Sequence, residues 1–289
     1  MNNMYSKLIT AFIFLSFITN TSAQQNLIRA FQPASVVNTI PYGNNPVAGH
    51  YVQAKDAKIY YEVYGKGQPI VLLHGGLFGS AVEMADFIDK LKQNYQVIAI
   101  STRGHGKSEL GTEPLTLEQR GNDAMAVINA VTKDSVMVLG FSDGGYSAYQ
   151  LAVTYPNRIK KMIVIGAGEL YPGVREFNFT AKQAMSFDKP FFEQQLKLMP
   201  DPNRIEEMFA GVNTCYNKLT IGNDLLKNIK CPVLVMAGDK DDSNPVERVV
   251  NAARCIQKSQ IAIIPNTTHE CFTENFDATW ASIEPFLKN

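Results

Sequence analysis

From residue 69 onward the chain repeats one unit, a short apolar run followed by a stretch of helical length. The runs are PIVLLHGG (69–76), YQVIAIST (95–102), SVMVLG (135–140), IKKMIVIGAG (159–168), CPVLVMAGD (231–239) and QIAIIPNTTH (260–269). Runs so rich in Val, Ile and Leu have no polar face to give to water, which predicts strands buried on both sides. Between or after them lie SAVEMADFIDKLKQN, LTLEQRGNDAMAVINAVT, GGYSAYQLAVTYP, a helix starting at Pro245–Val246, and ENFDATWASIEPFLKN. Strands alternating with helices imply βαβ crossovers, and so a mostly parallel sheet covered by helices. Ahead of them HYVQAKDAKIYYEVYGKG alternates apolar and polar residues around Asp56-Ala57, predicting an antiparallel hairpin at one edge. The expected fold class is therefore α/β, with an eight-stranded, mostly parallel sheet.

The rhythm breaks once. Residues 169–230 hold no convincing strand but three helix-like, Met/Phe-rich pieces, FTAKQAMSF, PFFEQQLKLM and NRIEEMFAGVN. That is too long for a plain connection, and it is read as a helical cap over the functional edge of the sheet. The expected organisation is a core of 49–168 and 231–289, a cap insertion of 169–230, and an extended, Pro/Asn-rich lead-in of 24–48. Residues 1–23 have Lys7, an apolar stretch from Leu8 to Ile18, then Thr21 and Ala23, the layout of a signal peptide cleaved after Ala23. Eleven apolar residues are too few for a helix across a bilayer of ~30 Å. The mature chain is expected to be exported, periplasmic or secreted, and free of the membrane.

The chain has 289 residues, 45% of them hydrophobic, which is material for one large core. Lys+Arg and Asp+Glu both total 27, so no net field draws nucleic acid or an anionic membrane. The four cysteines, Cys215, Cys231, Cys255 and Cys271, permit disulfides in an exported chain; free thiols are the equal alternative. No CxxC spacing points to a metal or redox site.

The chemistry concentrates where the strand 135–140 meets the next helix, at Gly140-Phe141-Ser142-Asp143-Gly144. This G-x-S-x-G pattern forces a sharp turn that lifts the serine off the sheet edge, with glycine required at both crowded positions. The following helix aims its N-terminus at the serine and favours negative charge developing there.

With three further motifs in order, this stretch is similar to the α/β-hydrolase family over most of residues 50–289. His74-Gly75-Gly76 resembles its oxyanion loop. Arg103-Gly104-His105-Gly106-Lys107-Ser108 resembles its D-x-R-G-x-G-x-S segment, with Ser101 in place of the usual aspartate. Gly238-Asp239-Lys240-Asp241 and Asn266-Thr267-Thr268-His269 resemble its acid and histidine loops. The resemblance implies Ser142 as nucleophile, His269 as general base and Asp241 as its orienting acid. It also implies an oxyanion hole from the backbone N–H groups of Gly76 and Asp143, and no metal or cofactor. Glu169, Asp239 and Asp242 are the other candidates for the acid. His74 and His105 are explained as loop-shaping residues and His50 as a surface residue.

The GxSDGG elbow resembles the biphenyl-hydrolase-like (valacyclovir hydrolase-like) branch, which favours amino-acid esters. Asp143 is then either a cap for the helix it precedes or a substrate contact for an ammonium; Leu77 is the other implied contact. The implied activity is a carboxylic-ester hydrolase acting on a small ester-like molecule through an acyl-enzyme. Alternatives on the same fold are a C–C hydrolase, lactonase, amidase or perhydrolase, and, outside enzymes, a binding protein. An aspartate at position 142 would have signalled a dehalogenase or epoxide hydrolase.

Overall fold

The computed structural model describes residues 40–77 and 79–288. The expected signal peptide, and the lead-in up to residue 39, lie outside the described residues. One sheet of eight strands forms the centre: β1 (Gly49–Ala54), β2 (Ala57–Tyr64), β3 (Gln68–Leu73), β4 (Tyr95–Ile100), β5 (Val136–Phe141), β6 (Ile159–Ile165), β7 (Val233–Gly238) and β8 (Ser259–Ile264). Their order is β1-β2-β4-β3-β5-β6-β7-β8, with β1/β2 and β2/β4 antiparallel and all other pairs parallel. Every residue of β5 and β7 is buried, as continuous apolar strands between helical layers must be.

Helices α1 (Ala85–Leu91), α2 (Leu117–Val131) and α3 (Asp143–Thr154) follow β3, β4 and β5 in turn. Thr116 caps α2 by accepting from the Gln119 N–H. Four helices intervene between β6 and β7: α4 (Ala181–Phe187), α5 (Lys189–Leu198), α6 (Ile205–Lys218) and the short α7 (Asn223–Leu226). Together they make the inserted helical segment, called the cap, between β6 and β7. A two-way backbone bridge closes off the stretch that carries α4 to α6, Leu170 N–H to Ile221 O at 3.0 Å and Ile221 N–H to Leu170 O at 2.7 Å. Helix α8 (Val246–Cys255) joins β7 to β8, and α9 (Cys271–Glu274) and α10 (Phe276–Lys288) close the chain.

Four local expectations are corrected. The helix foreseen over 80–94 opens as a 3-10 turn, Ala81–Met84, before α1. The closing helix is broken at Asn275, whose side chain accepts from the Ala278 N–H and so starts α10 afresh. The hairpin turn falls on Lys55–Asp56, one residue before the expected Asp56-Ala57. Residues 41–48 of the expected extended lead-in are a run of turns, because Glu62 accepts from the N–H groups of Gly43 and Asn45 and folds the segment back onto β2. All four cysteines are free thiols; Cys231 and Cys271 are buried.

Candidate active site

The site begins at the end of β5. Ser142 has φ 51° and ψ −114°, a left-handed conformation that a side chain adopts only under constraint. The constraint is packing. A Cβ on Gly140 would collide with the Gly144 carbonyl oxygen, and one on Gly144 with the Leu73 carbonyl oxygen at the end of β3. The Ser142 N–H is held by the Ile165 carbonyl at 2.8 Å, across in β6. The elbow is thus wedged between two neighbouring strands.

Three loops at the same sheet edge bring together the residues singled out from the sequence. Ser142 Oγ lies 2.9 Å from His269 Nε2, and His269 Nδ1 lies 2.8 Å from Asp241 Oδ2. The other oxygen of Asp241 accepts from the Asn244 N–H at 2.8 Å, so the carboxylate is fixed at both ends and buried. The alternative acids are engaged elsewhere. Asp239 accepts from the Thr267 N–H and Glu169 from the Tyr171 hydroxyl. Asp242 is exposed, and His50 stacks on Tyr61 at the sheet edge. The backbone N–H groups of Gly76 and Asp143 have no partner among the described residues. Gly76 backs so closely onto Asp143 that a Cβ there would stand 2.9 Å from the Asp143 Cβ.

Asp143 does not cap α3: it is the first residue of the helix, with no side-chain cap bond at that end. Its carboxylate instead meets Arg120 of α2 and accepts from the Tyr216 hydroxyl of α6. Asp143 is therefore where the elbow, a core helix and the cap meet. Sequence reasoning missed both partners. Arg120 was legible in principle, because it lies on the α2 face that Leu117, Ala124 and Ile128 turn to the core. Tyr216, 73 residues away, carried no comparable signal.

A pocket of about 460 Å³ opens onto Ser142 and His269, a size suited to a small organic ligand. Leu77 lines it on the core side, and Phe177, Phe179, Phe187, Val212 and Tyr216 line it from the cap. Arg175 also lines it, stacked 4.7 Å over the Phe177 ring. Three glutamates complete the wall: Glu83, Glu270 and Glu274. Burial pushes the Glu83 carboxyl up to about 7, with the Asp143 charge adding to it and the Gly75 N–H opposing. Burial, then the charges of Glu83 and Glu274, push Glu270 up to about 8. Among the described residues no group of three or more His, Cys, Asp or Glu is placed to hold a metal ion.

Comparison with known proteins agrees with this fold. The family described as alpha/beta hydrolase fold matches residues 68–203. The serine hydrolase BPHL of Mus musculus is 25% identical over 255 residues, covering 82% of this chain and 85% of its own. An (E)-2-((N-methylformamido)methylene)succinate hydrolase of Acinetobacter baylyi is 24% identical, covering 81% and 91%. Among solved structures, a meta-cleavage product hydrolase of Pseudomonas fluorescens IP01 superposes with a TM-score of 0.70 at 17% identity, over 85% of this chain and all of that one. The fold is the α/β-hydrolase fold. Within it, the chain resembles the biphenyl-hydrolase-like serine hydrolases.

Proposed function

We propose that this chain is a serine esterase that cleaves small, neutral carboxylic esters through an acyl-enzyme. One observation carries the reading: the unbroken relay from Ser142 Oγ through His269 to a buried, doubly held Asp241. In this reading Asp241 fixes His269 with its proton on Nδ1, so that Nε2 is free to take the serine proton. Ser142 attacks the ester carbonyl. The oxyanion forms against the N–H groups of Gly76 and Asp143, and such a donor is worth ~3–4 kcal/mol where one has been removed. His269 then returns the proton to the departing alcohol, and water releases the acid by the same steps reversed.

The alcohol and acyl groups are assigned to the pocket between Leu77 and the cap phenylalanines. Asp143 is assigned as a polar contact beside the acyl group. Arg120 already offsets its charge, which favours a neutral ester over one carrying an ammonium. Export through residues 1–23 is part of the proposal and rests on the sequence alone.

The test is labelling with a fluorophosphonate probe, followed by turnover of p-nitrophenyl acetate. Wild type is expected to label and Ser142→Ala not to. Asp241→Asn is expected to lose about 10⁴-fold in kcat, since the wrong histidine tautomer is then favoured. Labelling that survives Ser142→Ala would sink the reading.

A further inference from the structure

We infer that Glu83 is a positioning residue for the oxyanion hole: it fixes the loop His74-Gly75-Gly76 so that the Gly76 N–H faces Ser142. The inference rests on the serine-hydrolase reading above and adds to it a residue that touches neither nucleophile nor base.

The argument starts from the polar groups of the loop. The Gly75 N–H donates to Glu83 Oε2 at 2.5 Å. The Gly75 carbonyl accepts from His74 Nδ1 at 2.6 Å, and the Gly76 carbonyl from His105 Nε2 at 2.5 Å. Burial pushes both histidines below their usual range, with the neighbouring positive charge of Arg120 adding to it in each. Each neutral ring has one N–H to give; that of His74 goes to the Gly75 carbonyl, while His105 faces the Gly76 carbonyl through Nε2 and the Arg103 carbonyl, at 3.0 Å, through Nδ1. The Thr102 N–H supplies His74 Nε2 at 2.9 Å, which fixes that tautomer. The Gly76 N–H has no partner among the described residues.

Peptide geometry then assigns the work. A trans peptide points its C=O and N–H in opposite directions. Holding the Gly75 carbonyl therefore sets the direction of the Gly76 N–H, which is the part played by His74. That plane can still swing about Gly75 unless the preceding plane is held as well. The preceding plane carries the Gly75 N–H, and the group holding it is Glu83. Glu83 is 8% exposed and comes from the 3-10 turn Ala81–Met84, on a separate stretch of chain from the loop it holds. A buried carboxyl costs stability unless it is well bonded. Here its bond goes to the backbone one residue away from the proposed oxyanion donor.

The experiment compares Glu83→Leu, Glu83→Gln and Glu83→Asp with wild type. It reads the second-order rate of fluorophosphonate labelling, kcat and KM for p-nitrophenyl acetate, and inhibition by a trifluoromethyl ketone that forms a tetrahedral adduct. Glu83→Leu is expected to lower kcat and labelling rate about 10- to 100-fold, part of the loss seen when an oxyanion donor is removed outright. KM should stay within about twofold, and the ketone should weaken in step with kcat. Glu83→Gln keeps an acceptor oxygen of the same reach and is expected to recover most of the rate. Should Glu83→Leu fail to fold, Glu83→Asp, one methylene too short, must show the same split of kcat from KM.

A folded Leu or Asp variant with wild-type kcat overturns the inference. So does a loss in which ketone affinity follows KM rather than kcat, or a Gln variant as slow as Leu. If wild type itself does not label at Ser142, the esterase reading fails first, and that outcome is distinct from all of these.

Discussion

Helix α2 carries two buried arginine–aspartate contacts one turn apart, and they are built differently. Arg103, in the loop after β4, gives Nε and Nη2 to both oxygens of Asp123 at 2.8 and 2.9 Å. Its Nη1 reaches Asp56 at 2.7 Å, and the carbonyls of Leu110 and Ala54 take further N–H groups. Every part of that guanidinium is engaged, and it ties the β1–β2 turn to α2. Arg120 meets Asp143 through Nη1 alone. Its Nε and Nη2, and the second oxygen of Asp143, are buried without a partner among the described residues. The closed network lies away from the pocket; the open one supports its floor. The first network is satisfied on all sides within the described residues, and the second is not.

The strongest way to break the comparison is Asp123→Ala. It leaves the Arg103 guanidinium buried with three of its five bonds, and a loss of about 3–5 kcal/mol in urea unfolding is expected. Replacing both partners by apolar residues of similar volume should cost much less, because no charge is then stranded. A single variant as stable as wild type would show that Arg103 is no staple.

A third kind of acidic group sharpens the contrast, since neither the buried Glu83 nor the half-buried Glu270 is paired with an arginine among the described residues. Their carboxyls titrate at about 7 and about 8 in the folded chain, above the ordinary glutamate range. The folded state therefore holds protons that the unfolded chain has released, and stability falls as pH rises from about 4.5 towards those values, by roughly 1.4 kcal/mol per pH unit per group. Asp143 and Glu274 face these groups and keep the sign the same. Unfolding curves at pH 5, 6, 7 and 8 should show this slope in wild type and a flatter one in Glu83→Gln/Glu270→Gln. A slope unchanged by the double substitution would remove these two groups as its source.

The smallest effect is expected at the open network. Tyr216→Phe removes one donor to Asp143 but leaves Arg120 in place, for about 1 kcal/mol of stability. Because Tyr216 belongs to the cap and lines the pocket, KM for the ester should move more than kcat. A change confined to kcat would mean that the contact acts on the elbow rather than on the cap.

What could be read from the sequence follows the range of the interactions involved. The strands and the elbow are local patterns, set by runs of β-branched residues and by glycines that must sit beside one serine. The acid and histidine loops were legible through the family resemblance of their motifs, and since each directly follows a strand the sheet brings them to one edge. Glu83, Arg120 and Tyr216 were not read as site residues. On an amphipathic helix a charged residue is ordinarily assigned to water, and here the partners lie 8, 23 and 73 residues away. The spacing still held a trace of two of them. Glu83, Phe87 and Leu91 fall on one buried row, as do Leu117, Arg120, Ala124 and Ile128. A charge in the middle of an apolar row is the sign that a buried partner waits elsewhere in the chain. Asn275 and Glu62 failed for a related reason, since each acts by capturing backbone N–H groups, which leave no mark in side-chain periodicity.

The bridge between Leu170 and Ile221 makes the segment it encloses separable in design. The stretch carrying α4, α5 and α6 is entered and left through two adjacent residues outside the sheet, so a graft cut at that point need not move a strand. Such a transplant would exchange the ceiling of the pocket, Tyr216 with it, while Ser142, His269 and Asp241 stayed on the host. Selectivity and reactivity would then be inherited from different parents.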